Sequence, residues 1–340
     1  MSGSPPGQDA FEERLRLKIE AYHEAALVYA AMKLGLPERM AAGAVTAEQL
    51  AEALRLSAPH LMRFLRGLCT IGVCEELADG SFALAAGGRS LGSGSPSRLA
   101  EKVQIVVGQY WRPWANLVAN LETGTPAFEQ VFGMSVSDWR GRNEEQGALF
   151  DSYLAKETLA QAGAIIAALD VSDTKMIADI GGGYGGLLAA LLGAHPQIEG
   201  ILFDRPQTLA AAKPFLQSLG VAERVELVAG DFLAEIPVRA DLYLLKGVLQ
   251  QWDDPEARTI LRNCREAMSE GAKLAIIELP LPERARDDPA AIMLDLHMMT
   301  ITGGRARSLA EFTKLLSEAG LTLAKVTPTR SGLTIIEAKR

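Results

Sequence analysis

The chain has 340 residues, enough for two domains, and at 48% hydrophobic composition each can bury a core. Its formal net charge of −8 argues against a general nucleic-acid binder, because neutralising phosphates takes clustered Lys and Arg. It holds no run of about 18 apolar residues, so no membrane span is expected.

In chain order, the start MSGSPPGQDA is polar and lacks the basic and apolar regions of a signal peptide, so residues 1–10 are expected to be flexible. Leu15, Ile19, Tyr22, Ala26, Tyr29 and Ala30 recur at helical spacing and predict a helix over 11–36, broken by Gly35 and Pro37. Thr46-Ala-Glu-Gln49 is a capping-box pattern that opens a second helix. A third starts near Ser57 and runs from His60 to Gly67, with Leu61, Phe64, Leu65 and Leu68 inward. Val73–Leu77 and Ser81–Leu84, joined by Ala78-Asp79-Gly80, predict a hairpin. Short helices followed by a hairpin wing make residues 11–98 a winged-helix domain. Arg63 and Arg66 lie on the third helix, where a winged-helix regulator reads DNA; the simpler reading is a solvated face. After the Gly/Ser-rich loop 87–96, residues 99–170 predict a helical connector broken near Thr123-Gly124-Thr125-Pro126.

From 171 to 340 the pattern changes. Apolar runs at 176–180, 201–203, 225–228, 242–245, 274–277, 323–326 and 334–336 read as strands. Helical segments lie near 186–194, 206–218, 255–268 and 308–319. Alternating elements predict a seven-stranded, doubly wound α/β sheet, mainly parallel, with helices on both faces. The loop between the last two strands is too short for a parallel crossover, so one of that pair is reversed. Cys69, Cys74 and Cys264 show no metal spacing and leave an odd thiol, which fits a reduced, cytoplasmic setting without a metal centre. His23, His60 and His195 read as structural.

Asp179-Ile-Gly-Gly-Gly-Tyr-Gly-Gly186 closes the first of these strands and opens a helix. Glycines let backbone approach a ligand, and the helix start offers free N–H groups. Gly181, Gly183 and Gly186 also satisfy G-x-G-x-x-G, so a nicotinamide-dependent enzyme must be weighed. A carboxylate at Asp179 repels a pyrophosphate but suits a cation, such as the amino and sulfonium groups of S-adenosylmethionine. Asp204 ends the second strand, where an acid accepts from ribose hydroxyls. Asp231 and Phe232 end the third, where they suit the amine and face of an adenine.

The series Asp179-x-Gly-Gly-Gly-x-Gly185, Phe203-Asp204-x-Pro206, Gly230-Asp231-Phe232, Leu245-Lys246, Trp252-x-Asp254, Glu278 and Gly303-Gly304-Arg-x-Arg307 resembles the S-adenosylmethionine-dependent small-molecule O-methyltransferases, both plant caffeate-type and bacterial polyketide- and anthracycline-tailoring members. The resemblance covers nearly the whole chain. It implies a Rossmann-like catalytic domain and a homodimer made through the winged-helix domain. It implies that Gly181 and Gly183 hold the methionine portion of the cofactor, Asp204 with the adjoining Arg205 the ribose, and Asp231 and Phe232 the adenine, with Lys246 at its border. Phe150 and Tyr153 fall where the family's interdomain helix lines the acceptor pocket.

The departures lie in the catalytic groups. Where the family carries a His as general base, this chain has Gln250. Where it carries a Glu orienting that His, this chain has Ala306; Glu278 remains. Similar losses in the anthracycline branch accompany proximity-driven transfer and one repurposed hydroxylase. The expected function is methylation of a small electron-rich acceptor, most simply at a hydroxyl, by alignment rather than base catalysis. C- or N-methylation, and a hydroxylase, decarboxylase or pericyclase using the sulfonium as a fixed charge, are the alternatives. Gln250 can hydrogen-bond an acceptor but not deprotonate it. His297 is the candidate substitute base, on a helical face shared with Leu294, Met298 and Ile301; its other reading is a core histidine. Met298 is a candidate acceptor wall.

Overall fold

The computed structural model describes residues 8–340. The terminus expected to be flexible lies, through residue 7, outside the described residues. The chain divides into two compact units between Trp111 and Arg112, within the stretch that the sequence groups as one connector.

The first unit begins with α1 (Gln8–Glu20) and α2 (Tyr22–Lys33), broken at Ala21, where the periodicity predicts one helix. The apolar stripe of α1 faces outward: Phe11, Leu15, Leu17, Ile19 and then Tyr22 are 47–65% exposed. Periodicity identifies an apolar face but not what covers it. Next come α3 (Leu36–Arg39), α4 (Ala47–Leu54) and α5 (Ala58–Thr70). Thr46 and Gln49 exchange side-chain and backbone bonds at the start of α4, which is the predicted capping box. β1 (Cys74–Glu76) pairs antiparallel with β2 (Phe82–Leu84), and Phe82 also bridges Val45. Leu36, Met40, Leu50, Leu61, Leu65, Leu68 and Phe82 form the core between these elements. Arg66 pairs with Glu76 of the hairpin at 2.7 Å, as a solvated face would have it. α6 (Ala86–Arg89), α7 (Leu99–Ile105) and a π-turn at Val106–Tyr110 complete the unit.

The second unit starts with short helices, α8 (Trp111–Ala115), α9 (Leu117–Thr123), α10 (Ala127–Phe132) and α11 (Val136–Arg142), and the long α12 (Glu144–Ile166). The α/β part follows: β3 (Met176–Ile180), α13 (Gly186–Ala194), β4 (Glu199–Asp204), α14 (Pro206–Ser218), β5 (Val225–Ala229), β6 (Leu242–Lys246), α15 (Asp254–Ala267), β7 (Lys273–Glu278), α16 (Pro289–Ile301), α17 (Leu309–Glu318), β8 (Thr322–Pro328) and β9 (Thr334–Lys339). Among the described residues these strands form one seven-stranded sheet in the order β5-β4-β3-β6-β7-β9-β8. Pairings from β5 to β7 are parallel; β9 opposes β8, as the short final loop requires, and it is β9 that is the reversed strand, since it also runs against β7.

Alternate residues of each strand enter opposite cores. Ala178, Ile180, Phe203, Tyr243, Leu245 and Ile276 pack with α15 and α17 on one face. Ile177, Leu202, Leu242, Leu244 and Ile277 pack with α13 and α14 on the other. Each fully buried Leu or Ile contributes about 1.5–3 kcal/mol over its exposed state, so the register is firmly set. The chain leaves β3 in one direction along the sheet and β6 in the other. The crevice between their carboxyl ends is the topological switch point, where such sheets bind ligands. No helix among the described residues is long and apolar enough to cross a membrane.

Candidate active site at the carboxyl ends of the strands

Asp179, next to last in β3, is 2% exposed. The turn after it bends through left-handed backbone at Gly181 (φ 68°) and Gly183 (φ 61°), which only glycine adopts without strain. Gly181 N–H donates to the Phe203 carbonyl at 2.8 Å, and Gly183 N–H to Asp204 Oδ2 at 2.9 Å. A Cβ on Gly182 would lie 2.5 Å from the Asp179 carboxyl, so the loop closes directly over that acid. Asp179 Oδ1 is buried with no hydrogen-bond partner. Burial pushes this carboxyl up to about 7, against the pull of Lys246. A buried acid with an oxygen left over fits a cationic group and does not fit a pyrophosphate.

The other predicted cofactor residues surround this point. Asp204 ends β4; its Oδ1 accepts Arg205 N–H at 2.7 Å, and burial raises its pKa despite N–H donation from Arg205 and Gly183. The Arg205 guanidinium reaches Ser137 Oγ of α11 at 2.6 Å. Asp231 accepts from Leu233 N–H at 2.8 Å and is exposed. The Phe232 ring covers Gly181, where a Cβ would meet it at 3.2 Å, and stands edge-on to Trp252, centroids 5.9 Å apart. Lys246 ends β6, but its Nζ donates to Thr158 Oγ1 of α12 at 3.1 Å. Burial lowers its pKa, opposed by Asp179 and Glu157. Its ammonium therefore faces Asp179 and α12, where the sequence places it at an adenine.

Beyond β6 the chain makes a 3-10 turn, Leu249–Gln251, that no periodicity announces. Gln250 N–H donates to Glu278 Oε1 at 3.0 Å. Glu278 ends β7 and is 2% exposed; burial pushes it up to about 7, against N–H donation from Gln250 and Leu249 and the charge of Arg307. Gly304 presses on the same turn, since a Cβ there would lie 2.3 Å from the Gln250 carbonyl oxygen. Ala306 is buried, and its N–H donates to Asp295 Oδ1 at 2.8 Å.

α16 carries His297 and the buried Met298. His297 Nδ1 accepts from Trp114 Nε1 at 3.2 Å, with the rings inclined by 16°. An indole N–H only donates, so the neutral imidazole carries its hydrogen on Nε2. Burial, with Arg140 adding to it, pushes His297 down to about 4. A base there would have to take its proton on the nitrogen that binds Trp114, so the geometry does not prepare the role the sequence gives it. On α12, Phe150 lies under the Arg140 guanidinium, 3.3 Å from the ring centroid, and Tyr153 is half-buried one turn on. Asp151, not singled out from sequence, is pushed up to about 6 by burial and by Asp204, with Arg140 and Arg205 opposing. Trp114 was also missed: it lies 183 residues from His297, and no local pattern links them.

A cleft of about 340 Å³ lies at the opposite ends of the strands, lined by Asp173, Arg239, Asp241 and Lys273. Its polar groups serve the backbone there: Asp241 accepts from Lys175 and Met176 N–H, and Arg239 donates to the Ala267 carbonyl. Asp179, with its one unpartnered oxygen, and the perturbed carboxyls of Asp204 and Glu278 lie at the carboxyl ends instead.

Residues 114–322 match the model of the O-methyltransferase domain family. The phenazine O-methyltransferase PhzM of Lysobacter antibioticus is 38% identical, over 94% of each chain. The solved structure of the mitomycin 7-O-methyltransferase MmcR is 34% identical, with a TM-score of 0.91 over 98% of this chain and 99% of that one. An O-methyltransferase from neocarzinostatin biosynthesis, NcsB1, solved with S-adenosylmethionine and 2-hydroxy-5-methyl naphthoic acid, is 31% identical, with a TM-score of 0.81 over 93% and 95%. With this strand order, this glycine turn and these relatives, the chain belongs to the S-adenosylmethionine-dependent small-molecule O-methyltransferases.

Proposed function

We propose that this enzyme methylates an electron-rich aromatic or polyketide-like acceptor at a hydroxyl oxygen, working by alignment without a general base. One observation supports the reading: the turn after β6, where the resemblance places the family's base, presents Gln250, held by its backbone N–H to Glu278 Oε1. An amide has no useful basicity. His297, the remaining candidate, has its Nδ1 engaged by Trp114.

Bound S-adenosylmethionine supplies an electrophilic methyl group on a cationic sulfur, with a neutral thioether as leaving group. Asp179 supplies the countercharge to the cofactor's cationic end, and the Gly181–Gly183 turn offers backbone to the same end. Asp204 accepts from the ribose hydroxyls, with Arg205 bracing the strand end against α11. Asp231 and Phe232 hold the adenine. Lys246 balances Asp179 and secures α12. Phe150, Tyr153 and Met298 wall the acceptor, and Gln250 hydrogen-bonds it. A general base adds about 10²–10⁴ in rate, or about 3–5 kcal/mol of barrier. Its loss is tolerable only where the acceptor is already nucleophilic, such as a phenol acidic enough to ionise in water. Alignment at about 3–3.5 Å then carries the rate.

The working form we propose is a homodimer. α1 exposes Phe11, Leu15, Leu17 and Ile19, apolar surface that a second copy of the chain would bury. A reduced cytoplasmic setting suits the three free thiols.

With isotope-labelled cofactor and a panel of phenols, label should enter the acceptor with one S-adenosylhomocysteine formed per transfer. kcat/KM should inflect at each phenol's own pKa and move with it. Product without S-adenosylhomocysteine would instead point to a repurposed enzyme. For Asp179→Asn the sign follows from the raised carboxyl. The native state binds the extra proton between about pH 4 and 7, so wild-type stability is lost as pH rises through that window. The variant should melt higher than wild type at pH 8 without cofactor, the gap narrowing as pH falls and closing only near pH 4, and should bind S-adenosylmethionine at least tenfold more weakly. His297→Ala should leave cofactor affinity unchanged and remove no limb of the rate profile between pH 6 and 8, because the imidazole is neutral throughout and its Nδ1 is held by Trp114; a limb lost in the variant would restore His297 as the base. Sedimentation should show a dimer, and removal of residues 1–20 should yield monomer.

A further inference from the structure

The 3-10 turn that presents Gln250 is gripped from both sides. On its N–H side, Glu278 Oε1 of β7 accepts from Gln250. On its carbonyl side stands Arg307, 1% exposed, from the segment between α16 and α17. Arg307 Nη1 donates to the Leu249 carbonyl at 3.0 Å and Nη2 to the Trp252 carbonyl at 2.9 Å, spanning the turn. Nε donates to Asp254 Oδ1 at 3.0 Å, which ties the same guanidinium to the first turn of α15. Arg307 is itself fixed: its carbonyl accepts from Leu281 N–H, and the next residue, Ser308, caps α17 in a box with Glu311. Gly304, two residues before Ala306, closes the remaining side against the Gln250 carbonyl.

We propose that Arg307 is a positioning residue for the acceptor: with Glu278 it fixes the Leu249–Trp252 turn and so aims the Gln250 side chain. The proposal rests on the reading of Gln250 as facing the acceptor. The planar fork is what the site uses. All three guanidinium nitrogens are engaged: Nη1 and Nη2 reach carbonyls at either end of one turn, and Nε and Nη2 reach the Asp254 carboxylate. A lysine offers a single point charge and cannot span them. The clamp also explains how the base could be lost without the site collapsing. It grips the Leu249–Trp252 turn by main chain alone, so it holds that turn in one place whatever side chain stands at 250. Arg307 touches no reacting atom; its effect on rate passes through Gln250.

The test is a double-mutant cycle joined to hydrogen exchange. Arg307→Lys should lower kcat about tenfold at saturating S-adenosylmethionine, with little change in cofactor affinity. In a Gln250→Ala background the same change should cost less than twofold. Amide exchange over residues 247–253 should quicken at least tenfold in Arg307→Lys, a readout that needs no turnover. Equal losses of kcat in both backgrounds, or unchanged exchange, would overturn the proposal. Should Arg307→Lys fail to fold, Asp254→Asn carries the same cycle, since it keeps an acceptor for Nε but removes the charge that holds the guanidinium. If exchange quickens while wild type methylates no acceptor, the clamp stands and the methyl-transfer reading falls.

Discussion

A carboxylate sealed inside a sheet edge is the interaction around which this molecule is arranged. Asp179 is almost wholly buried, one of its oxygens has no partner, and its carboxyl is pushed up to about 7. Burying an ionised acid in this way costs several kcal/mol unless a cation joins it. The surroundings limit that cost without removing it. Lys246 faces the acid but is also shared with Thr158 and Glu157 of α12. The glycine turn closes over the carboxyl because Gly182 has no side chain to collide with it. A cationic ligand would complete the set, and the strand order puts Asp179 at the switch point between β3 and β6, where such sheets bind ligands.

The second half of the site separates two jobs that are joined where a histidine stands at this position. Holding the acceptor in line and removing its proton are distinct. Here the holding machinery is intact: Glu278, Arg307 and Gly304 fix the turn by its main chain. In the proposed reading no general base stands at the turn itself, because Gln250 and Ala306 carry no titratable group. His297 does not refill the role, since its Nδ1 belongs to Trp114 and burial keeps the ring neutral. On that proposal the chemistry rests on the acceptor, whose own acidity decides whether a nucleophile is present.

Much of this could be read from the chain. The alternation of apolar runs and helical segments gave the sheet and its reversed strand, because strand and helix periods differ and a four- or five-residue loop forbids a crossover. Asp179, Asp204 and Asp231 stood out as acids at strand ends beside glycines. The rest depended on contacts distant in sequence. The apolar spacing on α1 predicts a helix but not its surroundings, and its neighbours leave the stripe exposed. Lys246 follows its strand, yet its long side chain turns to α12, a direction that no pattern encodes. The 3-10 turn at Gln250 is too short to show a period. Arg307 is visible as a motif residue, but the Leu249 and Trp252 carbonyls that it holds lie more than fifty residues earlier.

The most direct measurement is calorimetry of S-adenosylmethionine binding in buffers of different ionisation enthalpy, from pH 5.5 to 8.5. If the cationic end of the cofactor docks against Asp179, binding must drive a proton off that acid while it is still protonated. Proton release should therefore accompany binding near pH 6, fade by pH 8.5, and vanish in Asp179→Asn. Binding with no proton release at pH 6, or with the same release in the variant, would contradict the pairing of Asp179 with the cofactor's positive charge.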